Sequence, residues 1–165
     1  MIEVYPNLFV GGDEDYEKVK DSKGWSWLRC CKYGPGGHQQ ILNYHTLAAP
    51  EGKNKYVARK GDLMALNLLN LHDPHYINSA MIDSGLEFIQ ERLAAGDKVL
   101  VACNKGKSRG PSIALLYMRS VGELPYNLGM SERVFSALYP EYDPDQGLRQ
   151  YLRWHWSDWV KEHNG

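Results

Sequence analysis

The chain has no long apolar run, no excess of either charge and few cysteines. Its 165 residues carry 19 Lys and Arg against 20 Asp and Glu. No global basic field is therefore available to draw in nucleic acid or a membrane surface, although a local basic patch is enough for an acidic partner. The longest apolar stretches are about half a dozen residues, far short of the roughly 20 needed to span a bilayer. The opening MIEVYPNLFVGG has neither the basic nor the apolar region of a secretory signal. There are three cysteines, Cys30, Cys31 and Cys103. An odd count without such a signal argues for a reducing compartment, and the expected location is cytoplasmic. A thiol used as a nucleophile has to stay reduced.

What is present is enough for a packed core. The length fits one domain over residues 1–165. Five Trp and eleven Tyr argue against disorder, because such side chains bury large areas. There are no repeats and no low-complexity tract. Residues 34–60 hold GPGG and AAPEGKNK, turn formers and charges throughout, and read as a long surface excursion.

The rest alternates between strands and helices. Residues 4–5 and 8–10 read as short strands ending at Gly11 and Gly12. Apolar strands follow at 25–31 (WSWLRCC) and 64–69 (MALNLL). Ser79 is a plausible N-cap for a helix whose apolar residues from Met81 to Leu93 share one face, with Gly96 as its stop. A buried strand follows at 99–102 (VLVA), then a helix with Pro111 in its first turn that closes at Gly122. Ser131 begins a further helix, and a last one runs from about Asp145 into a Trp-rich tail. This rhythm predicts an α/β fold with a mostly parallel central sheet flanked by helices in three layers. In such sheets ligands bind beyond the carboxyl ends of the strands, and Cys103 falls there.

The stretch VACNKGKSRGPS carries the chemistry. A buried strand ends at Cys103, five residues follow, then Arg109, then a helix begins. A loop of this length can curl so that its backbone N–H groups converge with those of the helix start. The product is an anion cradle at a helix N-terminus, built from Asn104, Lys105, Gly106, Lys107, Ser108, Arg109 and Gly110. Gly106 allows a tight turn or a positive φ. Arg109 offers a planar fork that matches two phosphate oxygens. The same field acts on the thiol, since a free Cys with pKa about 8.5 can fall to about 3.5–7.5 near a helix N-terminus and cations. One loop thus activates the attacker and holds the group attacked. A lone strand-ending Cys is usually an inert core residue. The fixed offsets of Cys, Gly and Arg here argue otherwise.

Cys103 and Arg109 have the CX5R spacing of the protein tyrosine phosphatase superfamily, and Gly106 and Ser108 match the CxxGxSR form of its dual-specificity phosphatases. The resemblance extends over most of the chain. VYPNLFVGG looks like the family's opening strand pair, LNLLNLHD like the strand entering its acid loop, and FSALYPEYDPDQGLRQYL like its last helices. The resemblance implies a cysteine-dependent phosphatase without cofactor or metal, in which Cys103 forms a cysteinyl-phosphate and Arg109 grips the phosphate. Two positions depart from the pattern. Ala102 stands where the family has His, and Gly110 where it has the Ser or Thr whose hydroxyl helps the thiolate leave. The second departure implies slow turnover, or a stand-in hydroxyl from Ser112 or Ser108.

In this family an Asp on a mobile loop, about thirty residues before the Cys, protonates the leaving group. Asp73 lies thirty residues before Cys103, after a predicted strand and before the predicted Ser79 helix. Pro74 favours an extended geometry at Asp73. Asp62 and Asp83 are lesser candidates. His72 and His75 flank Asp73, but no further Cys or His cluster supports a metal there. Cys30 and Cys31 read as core residues. Trp154, Trp156 and Trp159 read as packing.

Lys105 and Lys107 put two further cations in the cradle, as in phosphatases of inositol phosphates and phosphoinositides. The expected substrate is a phosphorylated protein or a small phosphate ester. Dual-specificity protein phosphatase comes first, with inositol phosphate or phosphoinositide phosphatase as the alternative. Two rivals stand outside this class. A sulfur transferase carries persulfide on a loop Cys, but lacks the Arg at this offset. A catalytically weak phosphate-binding module fits the losses at Ala102 and Gly110. The sequence does not define an oligomeric state.

Overall fold

The computed structural model describes residues 1–70 and 72–164, with side chains described through Asp158. Six strands form one sheet in the order β1-β2-β6-β3-β5-β4. They are β1 (Ile2–Tyr5), β2 (Leu8–Gly11), β3 (Trp25–Arg29), β4 (Val57–Lys60), β5 (Leu63–Leu66) and β6 (Lys98–Ala102). The four inner strands are parallel, and the two edge strands pair antiparallel with their neighbours. The helices are α1 (Asp13–Val19), α2 (His38–Leu42), α3 (Ser79–Ala94), α4 (Arg109–Ser120), α5 (Leu128–Leu138) and α6 (Gln146–Asn164).

Burial divides the two sheet faces unequally. Helices α3 and α4 pack directly on one face, with α6 against α4. The main core lies there and includes Val99, Val101, Ile82, Ile89, Ile113, Phe135 and Leu152. The other face carries α1 and a smaller cluster of Tyr16, Val19, Leu100 and Ala102, with Phe9, Trp25, Trp27 and Leu63 packed against it. Register explains the thin side. Phe9, Leu100, Trp27 and Leu63 form one row across β2, β6, β3 and β5, and cross-strand neighbours share a face. Two tryptophans in or beside that row cover area that would otherwise need a second long helix.

Several expectations are corrected at the level of elements. Helix α3 is capped by Asn78, whose side chain accepts from the Met81 N–H at 2.9 Å, and Ser79 is its first residue. Such a cap contributes about 1 kcal/mol. Helix α5 begins three residues before Ser131, at Leu128, capped by Asn127. The 34–60 segment is not wholly irregular, for it holds α2 and the edge strand β4. The VARK of β4 has little apolar content because only Ala58 of that strand is buried. Helix α1 was not anticipated, since its DEDYEKV buries only Tyr16 and Val19. No helix among the described residues is long and apolar enough to cross a membrane.

Candidate active site

Strand β6 lies in the middle of the sheet and delivers Cys103 at its carboxyl end, 2% exposed. Helix α4 starts at Arg109, so residues 104–108 form the intervening loop. Where this loop's carbonyls go decides its shape. The Asn104 carbonyl accepts from the Asp13 N–H at 3.0 Å, and the Lys107 carbonyl from the Asp143 N–H at 2.7 Å. The Gly106 carbonyl accepts from the Tyr139 hydroxyl at 2.6 Å. The Cys103 carbonyl receives a longer contact from Arg29 Nη1 at 3.4 Å. The Ser108 carbonyl begins the helix ladder with the Ser112 N–H at 3.0 Å.

A trans planar peptide points the N–H of the next residue opposite to its C=O, and there is no cis bond among the described residues. The N–H groups of Asn104, Lys105, Lys107, Ser108 and Arg109 therefore face away from these partners. Among the described residues none of the five has an acceptor. Five of the six carbonyls from Cys103 to Ser108 are thus tied outward, with unpaired amides at a helix start, which is the geometry of an anion cradle. Gly106 is required at its turn. Its φ is +72°, and a Cβ there would lie 2.8 Å from the Gly11 carbonyl carbon.

Arg109 is 8% exposed. Its Nη1 donates to the Leu68 carbonyl at 3.1 Å and its Nη2 to Asn104 Oδ1 at 2.9 Å. Its Nε is buried without a partner. A buried guanidinium N–H left unpaired costs free energy unless a bound group takes it.

The remaining residues singled out from the sequence are placed as follows. Lys105 and Lys107 are exposed and line a cleft of about 440 Å³ beside the loop, with Gly12, Asp13, Tyr139 and Glu141 on its other walls. Cys103 and Arg109 do not line that cleft. The Ser108 hydroxyl donates to Asp145 Oδ2 at 3.1 Å and accepts from the Asp145 N–H at 2.8 Å, so it is committed to the start of α6. Ser112 is fully buried, and its hydroxyl makes no hydrogen bond to Cys103. Neither hydroxyl is bonded to the Cys103 thiol in this geometry. Gly110 lies very close to the strand end, where a Cβ would meet the Cys103 nitrogen at 3.0 Å and the Ala102 carbonyl carbon at 3.2 Å.

Asp73 makes its hydrogen bonds within its own turn. It caps a short 3-10 helix (Pro74–Tyr76), and its Oδ1 accepts from the His75 N–H at 2.9 Å and meets His75 Nδ1 at 2.7 Å. These two bonds, the backbone one first, hold its carboxyl below the usual range. The His75 ring packs edge-on against Trp154 of α6, centroids 4.9 Å apart. Leu71, in the same loop, lies outside the described residues, as does the Trp159 side chain. Trp156 is buried and donates to the Tyr126 carbonyl at 2.6 Å. Cys30 and Cys31 are fully buried, and burial pushes both thiols up. No group of three or more His, Cys, Asp or Glu among the described residues is arranged to hold a metal.

Three contributors escaped sequence reasoning: Tyr139, Asp13 and Arg29. Tyr139 is pushed up to about 12, by burial first and then by Cys103, so its hydroxyl stays protonated and donates to the loop. Asp13 sits in the overlooked α1. Arg29 had a visible signal, the one charge within the mostly apolar WSWLRCC.

The six-stranded sheet flanked by helices is the fold of solved dual-specificity phosphatase structures. The chain superposes on human DUSP28 with a TM-score of 0.63, at 15% identity, over 98% of this chain and 99% of that one. DUSP15 matches at TM-score 0.66 and 21% identity, over 99% and 92% of the two chains. Human tyrosine phosphatase-like serine/threonine/tyrosine-interacting protein matches at TM-score 0.65 and 20% identity, over 97% of each. No family model matches the sequence, and no curated protein does. The last structure's name is "phosphatase-like", so the fold by itself does not assign activity.

Proposed function

We propose that the protein hydrolyses phosphate monoesters through a cysteinyl-phosphate at Cys103, acting first as a dual-specificity protein phosphatase. One observation carries this reading. The loop's carbonyls are tied outward while its amides and the Arg109 Nε have no protein partner. Such donors suit a phosphoryl group whose charge spreads over its equatorial oxygens in the transition state.

The reaction runs in two steps. The Cys103 thiolate attacks phosphorus as the ester P–O bond breaks, and the leaving oxygen takes a proton from Asp73. Water then attacks phosphorus, gives its proton to the Asp73 carboxylate, and the S–P bond breaks to release phosphate and the thiolate. Asp73 has to leave His75 before it serves either step.

A second reading, a phosphate-binding module with slow turnover, draws on the absence of a hydroxyl at position 110 and on the engagement of Asp73 by His75. The deciding experiment is a panel of phosphotyrosine peptides, phosphoserine and phosphothreonine peptides, and inositol phosphates, assayed with wild type and Cys103→Ser. Turnover by wild type, with none by a Cys103→Ser variant that still binds phosphate-like anions, supports hydrolysis. Equal turnover by both proteins rejects Cys103 as the nucleophile. Anion binding without turnover by wild type selects the second reading. Preference within the panel assigns the substrate class, inositol phosphates being favoured if Lys105 and Lys107 take a second phosphate.

A further inference from the structure

Ala102 has a neighbour that accounts for it. In the sheet register Ala102 pairs with Arg29 of β3, and paired residues share a face. On that face Ala102 packs with Tyr16, and the Arg29 guanidinium lies over the Tyr16 ring, 4.8 Å from its centroid. A bulky residue at 102 would compete with Arg29 for this space. Arg29 is 0% exposed. Burying a guanidinium is costly unless its donors are satisfied, and here they are used in three directions. Nε donates to the Pro35 carbonyl at 2.8 Å, Nη1 contacts the Cys103 carbonyl, and Nη2 pairs with Asp13.

Two of those directions lead to the phosphate site. Asp13 accepts from Asn104 Nδ2 at 3.2 Å, which leaves Asn104 Oδ1 facing Arg109 Nη2 at 2.9 Å. An amide has one donating and one accepting end, so Asp13, together with the Tyr33 carbonyl that accepts from the same nitrogen at 3.0 Å, fixes which end Arg109 meets. Holding the Cys103 carbonyl turns the Asn104 N–H the opposite way, into the cradle. We propose that Arg29 is a positioning residue of the phosphate site, setting the aim of the Arg109 guanidinium through Asp13 and Asn104 and the pitch of the first cradle amide through the Cys103 carbonyl.

The inference rests on the proposed function for its kinetic readout, but its anion-binding readout is independent. The experiment measures orthovanadate binding by protection of Cys103 from alkylation, together with kcat and KM for para-nitrophenyl phosphate, all per mole of reactive thiol. Cys30 and Cys31, buried with their thiols pushed up, do not compete for the reagent. Arg29→Gln is expected to weaken vanadate protection and lower kcat/KM by about 10²-fold, the scale of a small misplacement of a catalytic group. Asn104→Ala is expected to match it within a few fold. The double variant loses no more than Arg29→Gln alone, because the Asn104 path is one of the two that Arg29 controls, and Arg29→Lys regains part of the loss.

A merely structural Arg29 gives a different pattern. It lowers the melting temperature, leaves binding per reactive thiol unchanged and multiplies with Asn104→Ala, and that result overturns the inference. If Arg29→Gln does not fold, Asp13→Asn paired with Asn104→Ala carries the same test, since Asp13 is partly exposed. Wild type that binds vanadate but hydrolyses nothing sinks the hydrolytic reading, and a matched loss of binding in the two single variants then still supports the role of Arg29. Wild type that hydrolyses normally, with variants binding vanadate as it does, overturns the role of Arg29 alone. Wild type without vanadate binding overturns both.

Discussion

The loop from Cys103 to Arg109 and the loop that carries Asp73 hold the two halves of the proposed reaction, and the fold constrains them in opposite ways. The first is fixed from every side. Its carbonyls are tied to β3, α1, Tyr139 and the 143–145 segment that enters α6, and its arginine is anchored on Leu68 and Asn104. The second is fixed by its own neighbour. Asp73 is half exposed and bonded to His75, two residues on, while His75 leans on a partly exposed Trp154. Buried, multiply bonded groups hold position, and exposed local contacts open at little cost. In the proposed reaction, anion binding thus belongs to a preorganised part and proton delivery to a movable one.

The largest effect expected in breaking this contrast is at Arg109. Arg109→Lys keeps the charge but loses the fork that spans Leu68, Asn104 and the ligand. We expect kcat/KM for para-nitrophenyl phosphate to fall by about 10³-fold, with vanadate protection falling alongside it. A loss in kcat/KM with anion binding intact would show that the rigid half does not depend on the fork.

Asp73→Asn comes next and should separate the halves. Vanadate protection stays at the wild-type level, while kcat for alkyl phosphates, whose leaving groups need a proton, drops by about 10²-fold. Para-nitrophenyl phosphate, with a better leaving group, loses less. Alkyl phosphate rates unchanged by the substitution would remove Asp73 from the mechanism.

The sequence revealed these halves unequally. Cys103, Gly106 and Arg109 could be read because a strand, a tight turn and a helix start impose fixed spacing on them. The parallel sheet could be read because β6 is apolar after its first residue and β3 carries two Trp and a Leu. Strand β4 and helix α1 could not, since each buries one or two residues and shows no clear period. The path from Arg29 through Asp13 to Asn104 joins residues that lie far apart in the chain, and only the β3–β6 register brings it to Cys103. Asp73 was found by spacing, but its bond to His75 depends on the 3-10 turn and on α6, which spacing does not encode.

Gly110→Ser tests how much slack the rigid half retains. A Cβ at 110 meets backbone atoms at 3.0–3.3 Å, tighter than an ordinary contact, and those atoms belong to the end of β6. Restoring a hydroxyl beside Cys103 therefore forces a shift of strand or helix, with a cost of about 1–3 kcal/mol. We expect a lower melting temperature, with faster breakdown of the phosphoenzyme visible as a diminished burst of para-nitrophenol. A Gly110→Ser protein as stable as wild type would mean that the α4 start yields more readily than the tying of its carbonyls implies.

The smallest effect is expected in the movable half, at His75. His75→Ala keeps the backbone N–H that donates to Asp73 but removes the ring. Because that ring bond favours the carboxylate, losing it raises the pKa of Asp73 toward its ordinary value. The sign for catalysis follows, since a larger protonated fraction at a given pH moves the acid's limb of the kcat profile to higher pH. Alkyl phosphate turnover should rise a few fold near neutrality. The sign for stability is the reverse. A depressed carboxyl stabilises the fold above its unfolded value of about 3.9 and loses that contribution as pH falls through its folded value. His75→Ala should therefore narrow the difference in melting temperature between neutral and strongly acidic pH, though only slightly for so exposed a pair. Trp154→Ala, which frees the ring without deleting it, should move both readouts the same way by less. If neither variant shifts the pH limb, the bond between His75 and Asp73 is a local turn and has no part in timing the proton.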